Sequence, residues 1–97
     1  MRERVVEARL RDQVKSRGGW SLKLLPSVAG LPDRLVLMPR GRLFFVELKA
    51  PTGRLSAVQS VIHHRLEELG FSVAVLYSPD EVDSWCALMD GKAPTTD

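Results

Sequence analysis

The chain has 97 residues, 44% of them hydrophobic and 27% charged, with a net charge of +2. That length makes one domain with a modest core, and a partner chain would help to cover its apolar surface. No apolar run approaches a membrane span, Met1-Arg2-Glu3-Arg4 has no signal-peptide core behind it, and the single Cys86 cannot form an internal disulfide. A membrane protein and a disulfide scaffold are thereby excluded, and a reducing, cytoplasmic setting is expected. The charge is uneven: up to Arg54 there are 12 Lys and Arg against 5 Asp and Glu, and from Leu55 onward 2 against 7. A phosphate-bearing polymer would be drawn to the basic half.

Residues 3–16 read as a helix, because Val6, Leu10 and Val14 recur every four residues and Gly18-Gly19 ends the pattern. Glu7 lies about 20° from Val14 on the helical wheel, at the edge of the apolar stripe. Periodicity leaves two readings for it, a snorkelling surface residue or a site member. Trp20 to Leu25 reads as a short strand, with Lys23 a candidate to point towards the site. Trp20 and Trp85 read as core residues rather than base-stacking platforms.

Residues 34–38 and 42–50 are strand-like segments joined by the turn signal Pro39-Arg40-Gly41. A three-residue loop there sets Asp33 opposite Glu47, with Cβ atoms about 5 Å apart. Glu47 and Lys49 are two apart on one strand and share its face. Two such carboxylates repel unless a cation lies between them. Hard oxygen ligands suit Mg²⁺ or Mn²⁺, and an ammonium beside the ion can orient water or offset phosphate charge. The competing reading is a solvated surface hairpin, which Glu-x-Lys alone would favour. Phe44, Val46 and Leu48 face one way and Leu43 and Phe45 the other, so both sides are covered and this is a central strand.

A second helix is expected from about Leu55 to Leu69, burying Leu55, Val58, Ile62, Leu66 and Leu69, with Gln59 and His63 bordering that stripe and Gly70 as cap. Ser72 to Tyr77 is a strand, parallel to a neighbour because a helix leads to it. Ser78, Pro79 and Glu81 start a last helix whose inner face is Val82, Trp85, Cys86 and Met89. Cys86 reads as core and His64 as exposed. Residues 1–90 form one domain and 91–97 a frayed tail. The order αβββαβα implies an α/β fold with a mixed central sheet flanked by helices and closed by a C-terminal helix.

Gly30-x-Pro32-Asp33, Phe45-Val46-Glu47-Leu48-Lys49-Ala50 and Leu55-Ser56-x-x-Gln59, in this order, resemble the VRR-NUC group of the PD-(D/E)XK nuclease superfamily. The match runs along nearly the whole chain and includes the Glu7 helix, Gly18-Gly19, Lys23 and Gly70 to Val75. The resemblance implies a restriction-endonuclease-like αβββαβ core. It further implies that Asp33, Glu47 and the Leu48 carbonyl hold a metal, that Lys49 is the catalytic lysine, that Gln59 supports the site and that Glu7 completes it. The chain is similar to a minimal stand-alone member, which implies an Mg²⁺- or Mn²⁺-dependent endonuclease of branched DNA such as a four-way junction, with no organic cofactor, in a bacterial or viral setting. A homodimer would supply the two sites needed to cut two strands, with Trp85 and Met89 of the final helix as the candidate contact. Lys23, Arg34, Arg40, Arg42 and Arg54 are the expected DNA contacts. The alternative is a non-cleaving or partner-activated DNA-binding module of the same fold; the intact Asp33, Glu47 and Lys49 argue against the non-cleaving form and leave the partner-activated one open.

Overall fold

The computed structural model describes residues 2–25 and 27–92. Its elements in chain order are α1 (Glu3–Ser16), β1 (Trp20–Lys23), β2 (Arg34–Met38), β3 (Arg42–Leu48), α2 (Ala57–Glu68), β4 (Ser72–Leu76) and α3 (Pro79–Met89). The sheet order is β1-β2-β3-β4, antiparallel except for the parallel β3–β4 pair. The expected αβββαβα order and mixed sheet are thus observed, as is the central position of β3. Only the last residues of the predicted tail, 93–97, lie outside the described part; Gly91 and Lys92 follow α3 directly.

The hairpin register follows from the short turn. Met38 pairs with Arg42 and Arg34 with Val46, so the next step along the ladder sets Asp33 against Glu47. Arg40 and Gly41 in the turn both have φ of 69°, a left-handed conformation natural for glycine and uncommon for arginine.

The sheet's two faces are covered unequally. On one side Val6, Leu10 and Val14 of α1 and Val82, Trp85 and Cys86 of α3 close over Val36, Met38, Phe44, Val46, Leu48 and Leu76. Glycine allows this approach: a Cβ on Gly19 would sit 2.5 Å from the Met38 sulfur and 2.7 Å from the Leu37 carbonyl oxygen. Trp85 packs edge-on against Phe44, with ring centroids 5.5 Å apart at 84°. Trp85 is therefore core, which removes it from the dimer surface expected on α3; Met89 packs half-buried against the same core. Cys86 is buried as expected, and burial pushes its thiol pKa up.

On the other side α2 lies over the β4 end of the sheet and covers it thinly. Leu55, Ile62 and Leu66 are half-buried, but Val58 and Leu69 of the predicted stripe are 52% and 67% exposed, and Val61 is also exposed. Trp20 sits directly opposite Leu37 on this same side, beyond the reach of α2, and is 64% exposed where a core residue was expected.

Candidate metal centre

Three local devices bring Asp33 to the end of β3. Gly30 adopts a φ of 89°, and a Cβ there would meet Ile62 Cγ1 and the Val58 carbonyl oxygen, both at 2.8 Å. The loop before β2 can thus press onto α2 only because residue 30 is glycine. Pro32 is fully buried and stiffens the approach by fixing φ. Asp33 is then held from both sides: its carbonyl oxygen accepts from Leu24 N–H at 2.7 Å, and its Oδ2 accepts from Leu48 N–H at 3.1 Å.

Glu47 is 2% exposed and faces the Asp33 carboxyl across the β2–β3 pair. Burial first, then the neighbouring Asp33 carboxyl, pushes its pKa up to about 7, while Lys49 pulls the other way. Lys49 Nζ lies 3.5 Å from Glu47 Oε2. The stem of this lysine runs along Gly53, where an added Cβ would come within 3.3 Å of Lys49 Cβ.

The α2 N-terminus supplies a further contact. Ser56 caps the helix, its hydroxyl accepting from Gln59 N–H at 3.1 Å while the Gln59 side-chain oxygen accepts from Ser56 N–H at 2.9 Å. This capping box uses the amide oxygen and so turns Gln59 Nε2 towards Glu47 Oε2, 3.4 Å away. One turn further along, buried His63 places Nε2 3.9 Å from Glu47 Oε1. Those two facing atoms have no hydrogen-bond partner.

The structure thus brings Asp33, Glu47, Lys49, Gln59 and His63 together. Glu7 is placed elsewhere. Strand alternation sets Arg34 on the α1 side with Val36 and Met38, and Glu7 Oε2 lies 2.9 Å from Arg34 Nη2 there. Hydrogen bonding to Arg34 holds the Glu7 carboxyl below its usual range, helped by the charges of Arg34, Lys23 and Arg11.

The expected DNA contacts divide. Arg34 and Arg42 are 6% and 5% exposed, which corrects their assignment to the surface. Arg34 Nη1 reaches Ser21 Oγ at 3.4 Å in addition to the Glu7 pair. Arg42 donates to the Pro39 carbonyl at 2.9 Å and the Met89 carbonyl at 2.8 Å, tying the hairpin to the C-terminal end of α3, where a cation is favoured. Lys23, Arg40 and Arg54 are exposed.

The fit of a divalent ion can be judged from the donor set. Two abutting carboxylates, one raised in pKa and carrying an unsatisfied buried oxygen, form a site short of positive charge. Among the described residues no group of three or more His, Cys, Asp or Glu side chains is arranged to hold a metal. A pair of carboxylates suits Mg²⁺, which uses one or two and keeps several waters.

This αβββαβ frame, with an acid pair and a lysine at the end of a central strand, is the restriction-endonuclease-like class of fold. The VRR-NUC domain model matches residues 5–80. A protein of Acyrthosiphon pisum secondary endosymbiont phage 1, named "Putative nuclease p44", is 42% identical over 81 residues, spanning 82% of this chain and 87% of the relative. A solved structure of a VRR-NUC domain superposes with a TM-score of 0.82 at 31% identity, covering 88% of this chain and 94% of the other. The chain belongs to the VRR-NUC family, a family of nucleases.

Proposed function

We propose that this chain is an Mg²⁺- or Mn²⁺-dependent endonuclease that hydrolyses phosphodiester bonds in branched DNA. The observation that carries this reading is buried Glu47 set against the half-buried Asp33 carboxyl, its pKa raised, with Lys49 Nζ 3.5 Å from its Oε2. Asp33, Glu47 and the Leu48 carbonyl would hold the ion, which when bound would acidify water and neutralise phosphate charge. Glu47 would hold the ion in its deprotonated form. Lys49 would orient the attacking water or screen charge on the phosphate. Gln59 holds Glu47 in place through its capped amide. Glu7 would join the ligands only by exchanging Arg34 for the ion.

No base-reading helix stands out among the described elements, which favours recognition of backbone and shape. Lys23, Arg40 and Arg54 remain as exposed phosphate contacts. A homodimer would pair two sites for two strands. Its contact is better sought on the α2 side than on α3, since Leu25, Val28, Val58, Val61 and Leu69 are exposed there and Gly30 joins the loop to α2.

The test is cleavage of labelled four-way junction, flap, duplex and single-stranded DNA with Mg²⁺, Mn²⁺ or EDTA, comparing wild type with Lys49→Ala. Metal-dependent cutting of the junction that is lost in the variant supports the proposal. Binding of the junction without cutting under either metal would favour the non-cleaving module.

A further inference from the structure

α2 is an amphipathic helix that buries the wrong kind of residue. Val58, Val61 and Leu69 are more than half exposed, yet His63 is 5% exposed, and it is the buried residue of this helix. Its Nε2 and Glu47 Oε1 face each other at 3.9 Å, and neither has a hydrogen-bond partner. That separation is beyond a hydrogen bond. Two opposed orphans of complementary chemistry are costly where they stand and need only a small movement to satisfy each other.

We infer that His63 is a positioning residue for Glu47, donating from Nε2–H to Oε1 when Glu47 serves as a cation ligand. The inference rests on the reading of Asp33 and Glu47 as the metal pair. Gln59 and His63, four residues apart on α2, project from one face of the helix. Gln59 already addresses Oε2 at 3.4 Å. Together they would hold both oxygens of one carboxylate and fix its plane, the service that outer hydrogen bonds render to metal ligands generally. A neutral imidazole with its proton on Nε2 suffices. A histidine that merely filled the core would have no reason to aim an unpaired nitrogen at an unpaired carboxylate oxygen.

The test compares wild type, His63→Leu and His63→Gln without DNA, reading Mn²⁺ affinity by calorimetry and thermal midpoint in EDTA. The leucine keeps bulk and removes the donor; the glutamine restores a donor of similar reach. The expected result is Mn²⁺ binding weakened about 10- to 100-fold in His63→Leu, with its midpoint in EDTA unchanged or raised, and recovery to within a few-fold in His63→Gln. If His63→Leu does not fold, His63→Ala provides the donor-free comparison. Wild-type affinity in a donor-free variant, or equal weakness in His63→Gln, would overturn the inference. Nitrogen hyperfine coupling from imidazole on bound Mn²⁺ would also overturn it, by making His63 a ligand. Absence of Mn²⁺ binding by wild type would instead remove the metal pair itself, and the inference with it.

Discussion

The two faces of the sheet each receive an acidic side chain and treat it in opposite ways. On the α1 side Glu7 meets Arg34 at 2.9 Å, and its pKa is lowered. On the α2 side Glu47 meets another carboxyl, and its pKa is raised to about 7. The first arrangement pairs an acid with a base and lies beside the buried hydrophobic cluster. The second sets two carboxyls beside one lysine and lies under a helix that leaves much of its apolar surface exposed. A buried carboxyl whose pKa is raised by a second one beside it is the pattern of a functional site rather than of a packed core. The better-packed face holds the fold together while the other carries the candidate site.

This contrast can be broken by mutation. The largest effect should come from Leu10→Ala, which empties a fully buried position and should cost about 2–5 kcal/mol in chemical denaturation. Val61→Ser on the thin face should stay within about 0.5 kcal/mol; similar costs for the two would refute the asymmetry. Lys49→Ala should lower cleavage about 10²- to 10³-fold with circular dichroism unchanged.

Glu47→Gln sharpens the comparison through pH. A carboxyl whose pKa is raised on folding binds its proton more tightly in the native state, so its destabilising effect is absent below the ordinary value of 4.5 and grows as pH rises towards 7. His63, lowered from 6.5 chiefly by burial, works in the opposite direction and touches Glu47, so the comparison is made in a His63→Leu background. Metal-free Glu47→Gln should therefore gain about 2 kcal/mol over its Glu47 parent at pH 7.5 and almost nothing at pH 4, while losing cleavage. A pH-independent difference would contradict the raised pKa.

Glu7→Gln should do the reverse, costing about 1–2 kcal/mol at pH 7 because Arg34 is left buried without its anion. That cost should fade as pH falls below 4.5, where wild-type Glu7 itself begins to protonate. A small effect is also expected from Arg40→Gly, a gain of under about 1 kcal/mol on relieving the positive φ, partly offset by a more flexible unfolded chain.

Much of the site was legible before any coordinates, because it is built from short-range geometry. A three-residue turn fixes the pairing of its two strands, strand alternation puts Lys49 on the Glu47 face, and Ser56 and Gln59 have the spacing of a capping box. Gly30 is legible as part of a motif, but its contact with Ile62 and Val58 is not.

What the amino-acid sequence determined by itself was the order of elements, the hairpin register, and hence the meeting of Asp33, Glu47 and Lys49. Tertiary structure alone decided that Arg34 and Arg42 are buried, that Glu7 answers Arg34 across the sheet from Glu47, that Trp20 is exposed while Trp85 is core, and that α2 buries His63 instead of Val58 and Leu69. The physical reason is common to all of these. Periodicity says which way a side chain points from its own helix or strand, whereas its burial and its partner depend on how much of the opposing surface another element covers.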